Sequence, residues 1–324
     1  MERAANKITI ILPVYNGGKH IIQSVNSVLD QEYKDFEFII CDDASTDNSY
    51  QFLQSVKLEN PDKVKILKNA TNLGLFKTLN RLIKESSTNL IHLWSQDDVM
   101  KPHCLESCVT FHKNYPLISM SYHGIDYIDE NGKLINDEKN DGTPELISSD
   151  LYANISIRWG CMPGNIANVT LNKQYVEQVG FFNETMIVSG DFDLWTRLSE
   201  ISSIGRNTAN LIYLRRHDGQ LSRSFKSIYL RIKEDIPIHL QILNRLKESD
   251  KKRALRWWSW KTQVSYYNDY IFLKRRGQHE ETIKLYNLLQ QNFRITPLVA
   301  RWILIKILRV LKLEVEFYKN ILDR

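Results

Sequence analysis

Between residues 7 and 100, short apolar runs alternate with stretches in which apolar residues recur every three or four positions. The runs Lys7–Leu12, Phe36–Cys41, Val64–Leu67 and Leu90–Trp94 have strand length and are rich in β-branched and aromatic residues, and Pro13 closes the first. Between them, Ile21, Ile22, Val25, Val28 and Leu29 share one side of a helix predicted over His20–Leu29. A second helix, capped by Ser45 or Thr46, runs to about Leu58 and stops at Asn60-Pro61; a third covers Leu73–Lys84. Alternation of elements of this length predicts a mostly parallel, Rossmann-like α/β sheet covered by helices.

Beyond Pro102 the alternation weakens. Asn131-Gly132 marks a hairpin turn between Ile125–Asp129 and Lys133–Ile135. Residues 136–149 read as a polar loop, and Gly160–Gly164 as another break. Asp191–Ser199 has helical spacing, Asn210–Arg215 reads as a closing strand, and from Ser227 the pattern is helical to the end. The expected organisation is an α/β domain over residues 1–225, with halves 1–100 and 101–225, followed by a helical C-terminal extension over 226–324.

Composition leaves this picture unchanged: 43% of the 324 residues are hydrophobic and 25% charged, ordinary for a globular protein. No apolar run reaches the ~18 residues of a membrane-spanning helix. Met1–Asn6 is polar and Ile8–Val14 reads as a strand rather than a leader, so a cytoplasmic location is expected. Four cysteines (Cys41, Cys104, Cys108, Cys161) show no disulfide-framework spacing. Cys104, Cys108 and His112 fall four apart on one helix face, a zinc-like trio; two small buried thiols explain the same spacing, because structural zinc sites use four ligands.

Charge does change the picture. Residues 251–324 hold 16 Lys and Arg against 6 Asp and Glu, a net of +10, which leaves −5 on residues 1–250 of a chain whose total is +5. On a helix over Arg301–Leu313, Arg301, Lys306, Arg309 and Lys312 fall within about 140° of arc, with aliphatic residues elsewhere. With Trp257, Trp258 and Trp260 upstream, the tail suits either an anionic membrane surface, at the inner face of the cell membrane, or packing on the body or a second copy. No nucleic-acid-reading motif accompanies the charge.

The chemistry sits at strand ends. The second apolar run is followed by Asp42-Asp43, the fourth by Ser95-Gln96-Asp97-Asp98. Carboxylate pairs are costly to bury without cations or donors, and open α/β sheets bind ligands outside the carboxyl ends of their strands. The first strand leads into Pro13-Val14-Tyr15-Asn16-Gly17-Gly18, where glycines let a ligand approach the backbone.

Taken together, Pro13–Asn16, Ser24…Ser27–Gln31, Asp35–Asp47, Asn72-Leu73-Gly74…Asn80, Gln96-Asp97-Asp98, Gly180–Glu184, Asp191–Trp195 and Arg216-His217 closely resemble family 2 glycosyltransferases over roughly residues 7–225. The resemblance implies the GT-A fold, a nucleotide-diphosphate sugar donor, most simply uridine-linked, a glycan or lipid-linked acceptor, and a divalent metal, Mn²⁺ or Mg²⁺. It implies that Asp43 contacts the base, that Pro13, Tyr15, Asn16, Asn72 and Gly74 line the nucleotide site, that Asp97 reaches ribose or a metal-bound water, and that Asp98 and His217 hold the metal. Arg215 or Arg216 is left to face the diphosphate, and Asp42 to orient its loop. Asp191 takes the position of the general base of an inverting, single-displacement reaction, and Asp193 is placed to pair with Arg197. Two positions depart from the family pattern: Ser95 and Gly190 stand where relatives carry acids. A non-catalytic nucleotide-sugar-binding protein on the same fold is the rival those departures favour. A nucleotidyltransferase would need a phosphate-cradling loop, of which Gly17-Gly18-Lys19 is a faint version.

Overall fold

The computed structural model describes residues 7–137, 142–217 and 224–323. These residues fall into two compact units, one of residues up to Ser149 together with Pro163–Asp218, the other of Asp150–Met162 with the chain from Gly219 onward.

The first unit is built on a ten-stranded sheet. Strands β1 (Ile8–Val14), β2 (Phe36–Asp42), β3 (Val64–Lys68) and β4 (Leu90–Leu93) are parallel in the order β3-β2-β1-β4. Helices α1 (Ile21–Leu29), α2 (Ser49–Glu59) and α3 (Leu75–Glu85) connect them. The sequence-predicted elements of this half are present, with ends shifted by a few residues. β1 and β2 are buried almost throughout, as strands covered on both faces must be. Ile8, Ile10, Leu12 and Val14 join α1 and α2 in one core cluster; Ile11, alternating with them, faces the other side of the sheet.

The remaining elements are β5 (Val99–Met100), α4 (Cys104–Asn114), β6 (Met120–Ile128), β7 (Leu134–Asp137), β8 (Leu146–Ile147), α5 (Ser149–Trp159), β9 (Val169–Asn172), α6 (Lys173–Val179), α7 (Gly190–Ile201) and β10 (Ile204–Arg215). β9 inserts antiparallel between β4 and β6, and β10 runs parallel to β6. β1, β2, β4, β6 and β10 therefore all point the same way, and their carboxyl ends share one edge. The hairpin at Asn131-Gly132 forms as expected: Ile128 pairs with Leu134, and Gly132 takes the left-handed conformation its turn needs (φ 85°).

The second unit is helical: α8 (Phe225–Arg245), α9 (Glu248–Trp257), a π turn (Trp258–Thr262), α10 (Gln263–Arg275), α11 (His279–Asn292), α12 (Ile295–Val310) and α13 (Glu314–Asp323). Ile232, Ile236, Tyr266, Leu273, Leu285 and Leu289 form one core; Val264, Leu298 and Ile305, with Trp260, Trp302 and Phe317, form a second. The expected boundary at residue 225 misses α5, most of which belongs to this unit. Trp257 Nε1 donates to the Arg158 carbonyl (3.0 Å), and Lys247 pairs with Asp150 (2.5 Å). None of the described helices is long and apolar enough to cross a membrane.

Candidate active site at the strand ends

The loops after β1 and β2 are tied to each other by side chains. Asn16 is left-handed (φ 50°); its N–H donates to Ser45 Oγ (3.0 Å) and its Oδ1 accepts from Thr46 N (2.8 Å). Gly17 N–H reaches Ser49 Oγ (2.9 Å), and Gly18 N–H reaches Asp47 Oδ2 (3.1 Å). Asp42 Oδ2 accepts from Ser45 N–H at 3.3 Å, the loop-orienting contact expected of it. Gln96 completes the frame: its Oε1 accepts from Tyr15 N (3.0 Å) and its Nε2 donates to Tyr15 O (3.2 Å), locking β1 to the loop after β4. The Tyr15 ring stays 45% exposed, available for stacking. Pro13 continues the parallel register opposite Cys41.

Asp43 is buried and organises a third loop. Its Oδ1 accepts from Asn69 Nδ2 (2.7 Å) and Leu73 N (2.8 Å), and its Oδ2 from Gly74 N (2.9 Å). Asn72 Oδ1 accepts from the same Gly74 N–H (3.0 Å). Gly74 has φ 84°, a conformation most side chains resist, and it starts α3. Asp43, Asn72 and Gly74 are therefore one structural knot at the carboxyl end of β2.

Asp97 and Asp98 point to different partners. Asp98 is 2% exposed and accepts from Arg215 N–H (2.9 Å); burial, reinforced by the neighbouring Asp97 charge, pushes its pKa up to about 7 despite that hydrogen bond. Asp97 Oδ2 lies 3.6 Å from His217 Nε2. Burial also raises the Asp97 pKa, with His217 and His20 opposing. The expectation had Asp98 beside His217 as the metal pair; the carboxylate that meets His217 is Asp97. Nor is Arg215 aimed at a ligand. It is 1% exposed and acts as a clamp: Nε donates to Asp97 O (3.0 Å), Nη1 to Asp129 O and Glu130 O (both 3.1 Å), and Nη2 to Gln23 Oε1 (2.6 Å). Arg216 is exposed and lies over the Tyr127 ring, 4.0 Å from its centre.

Asp191 sits in the first turn of α7, where the helix dipole favours negative charge. Its Oδ1 accepts from Phe192 N (2.8 Å). The preceding Gly190 packs against the Phe76 ring, one residue into α3, so the amino ends of α3 and α7 adjoin. Asn80 fastens the intervening loop: its Nδ2 donates to Phe182 O (2.9 Å) and Glu184 Oε1 (3.0 Å), while its Oδ1 accepts from Phe182 N (2.9 Å). Asp193 pairs with Arg197 at 2.6 Å, as its spacing predicts. Gln96, Arg215 and Phe76 are site-shaping residues that sequence reasoning gave no role of this kind.

The residues present fit a divalent cation. His217 Nε2 is buried without a hydrogen-bond partner, and the nearest carboxylate is Asp97. One imidazole nitrogen and one carboxylate oxygen, beside an edge that would receive a diphosphate, suit Mn²⁺ or Mg²⁺.

A mixed sheet whose parallel strands end together at one edge, with helices covering it, is the α/β architecture of GT-A type domains. Residues 9–169 match the family described as glycosyl transferase family 2, and the chain belongs to that family. An uncharacterized glycosyltransferase of Rickettsia conorii is 29% identical over 221 residues, 68% of this chain and 36% of the relative. One from Nostoc sp. is 31% identical over 176 residues, 53% of each chain. The chain thus spans about a third of the length of the Rickettsia relative (36%). Among solved structures, S. aureus TarS 1-349 in complex with UDP-GlcNAc superposes with a TM-score of 0.60 at 20% identity, over 78% of this chain and 71% of that one. The mannosyltransferase PcManGT of Pyrobaculum calidifontis, in complex with GDP-Man and Mn²⁺, gives 0.54 at 13% identity, over 90% and 77%. Both likenesses concern the fold.

Proposed function

We propose that this protein is a metal-dependent, inverting glycosyltransferase that moves a sugar from a nucleotide-diphosphate donor, preferably a UDP-sugar, to a hydroxyl of a glycan or lipid-linked acceptor. The observation that carries the reading is the unpartnered His217 nitrogen facing Asp97 at the same sheet edge as the Asp43 loop. Tyr15 and Pro13 flank the base, Asn16 and the Asn72–Gly74 turn shape the nucleotide edge, and Asp43 holds that turn rigid while keeping one Oδ2 lone pair for the base. Asp97 and His217 would hold the cation, and Asp98, which accepts from the Arg215 main chain, fixes the loop that presents Asp97. When bound, the metal offsets the charge that builds on the departing diphosphate. Asp191 accepts the acceptor hydroxyl's proton as that oxygen attacks the sugar carbon from the face opposite the diphosphate. The basic C-terminal unit attaches the enzyme to an anionic membrane surface, where a lipid-linked acceptor resides.

The rival, a non-catalytic sugar-nucleotide binder, drew support from Gly190. Packing of Gly190 on Phe76 gives the glycine a steric reason of its own. Nucleotide-sugar turnover with Mn²⁺ and Mg²⁺ tests the reading. Asp97→Ala and His217→Ala are expected to raise the metal concentration needed for half-maximal activity. Asp191→Asn should lower turnover by ~10²–10⁴-fold with donor affinity retained. Donor binding without hydrolysis or transfer on any acceptor, and no effect of Asp191→Asn, would return the protein to the rival class.

A further inference from the structure

We propose that β4, β6 and α4 carry a second, structural metal site: a Cys₂His₂ set of His92, Cys104, Cys108 and His123 that takes zinc. The inference stands apart from the donor reading, since none of these side chains belongs to it.

All four residues are buried, none more than 2% exposed. One ligand atom from each of His92, Cys108 and His123 lies within 4.8 Å of the other two. Cys104 Sγ adds a fourth, 3.8 Å from His123 Nε2. Tetrahedral zinc, with Zn–N near 2.0 Å and Zn–S near 2.3 Å, sets its ligand atoms roughly 3.3–3.8 Å apart. Closing the trio of His92, Cys108 and His123 therefore needs movements of about 1 Å at side-chain tips, and Cys104, which lies outside that mutual 4.8 Å limit, needs a larger side-chain rotation to join it. The two imidazoles are oriented as ligands are. His123 Nδ1 donates to the Gly124 carbonyl (2.9 Å), which leaves the Nε2 lone pair facing inward. His92 Nδ1 is held by Thr170 Oγ1 on β9 (2.9 Å), and its buried Nε2 has no hydrogen-bond partner. The Cys108 thiol is the neighbour of that imidazole within the set, and a shared metal ion would satisfy both.

The helix explains the thiols. Cys104 and Cys108 are one turn apart on α4, on the face turned to the sheet. The third member of the sequence trio, His112, turns away to Ser121 Oγ (2.9 Å), so the helix supplies two ligands and the sheet the other two. Charge also balances. Two thiolates and two neutral imidazoles around Zn²⁺ sum to zero, the arrangement a buried site tolerates. Loading releases two protons, one from each thiol, and breaks no other bond.

Cobalt substitution in the purified full-length protein tests the site. After chelator treatment, titration with Co²⁺ is expected to give a sulfur-to-cobalt charge-transfer band and intense tetrahedral d–d bands, saturating at one equivalent. The Asp97→Ala/His217→Ala double variant should keep these bands, which separates them from donor-side metal. Cys108→Val should lose them, because Cys108 is the thiol set within 4.8 Å of both imidazoles; Cys104→Ala, which keeps that trio, should retain roughly half the charge-transfer intensity. Protein purified from zinc-supplemented cells should carry zinc that Cys108→Val lacks. A folded wild-type protein that shows no charge-transfer band at saturating Co²⁺, or a band that survives in Cys108→Val, overturns the proposal and leaves two hydrogen-bonded core thiols.

Discussion

A Cβ placed on Gly190 would lie 2.6–2.8 Å from three carbons of the Phe76 ring. That ring cannot swing clear, because it is 3% exposed and stacks on Phe182 at 5.4 Å. Gly190→Ala is therefore expected to cost about 1–3 kcal/mol of stability, the usual penalty of overpacking. Phe76→Leu should recover part of it in the double variant, a non-additivity that urea denaturation of the four proteins reads directly. Equal losses with and without Phe76→Leu would mean that the glycine answers to its backbone rather than to the ring. Single residues also mark how far the sequence could be read. The acids at strand ends were visible because Asp after an apolar run is chemically conspicuous. Their division of labour was not. Arg215 looks in sequence like a cation beside a metal histidine; only the fold brings Gln23, Asp97, Asp129 and Glu130 to it. Asp97 and Asp98 are adjacent, so nothing local distinguishes the carboxylate facing His217 from the one capped by a main-chain N–H.

At the scale of elements, α1 shows how a helix can position a site from behind. Ser24 and Ser27 of α1, with Gln31 just past its end, form a polar stripe at spacings of three and four. Ser24 Oγ donates to Ser95 O (2.7 Å) and accepts from Trp94 Nε1 (2.9 Å); Ser27 Oγ accepts from Met100 N (3.0 Å); Gln31 bonds Lys101 O (2.8 Å) and Leu105 N (3.1 Å). The segment carrying Asp97 and Asp98 is thus pinned along its length. β1 to β4 were legible because each is a compact apolar run. β9 was not, since Val169–Asn172 is short, partly polar, and becomes a strand only between β4 and β6. α4 carries a pH prediction. Burial lowers the His112 pKa from 6.5 to about 4, so the folded state favours the neutral ring. A depressed histidine contributes stability that is complete above pH 6.5 and is lost as pH falls toward 4. The loss amounts to at most ~3 kcal/mol. His112→Gln, which can still bond Ser121, should flatten the urea midpoint over that window; an unchanged pH slope would assign the acid lability to other groups.

At the scale of the whole molecule, the helical unit departs most from the simple tail the sequence suggests. α5 falls between the polar loop and the break read in the sequence, in a stretch given no element; what it packs with lies far along the chain, Arg245 over the Tyr152 ring and Trp257 on the Arg158 carbonyl. α12 is no free amphipath either. It buries Leu298 and Ile305, and two of its three cations are engaged: Arg301 bonds Gln263 (2.9 Å), and Arg309 forms a fork with Glu314 (both contacts 2.7 Å). What it leaves outward is apolar: Ile303, Leu304, Ile307, Val310 and Leu311 are 37–83% exposed, with Lys312 exposed beside them. Apolar side chains rimmed by uncompensated basic charge match an anionic lipid surface better than neutral lipid. The full-length protein is therefore expected to float with vesicles containing phosphatidylserine or phosphatidylglycerol, to be released by salt, and to leave pure phosphatidylcholine vesicles unbound. Ile307→Glu/Val310→Glu, both at exposed positions, should cut the bound fraction several-fold with the melting temperature unchanged. Binding that ignores the double substitution would remove α12 from the attachment surface, and a self-association abolished by the same variant would mean that a second copy covers this face instead of lipid.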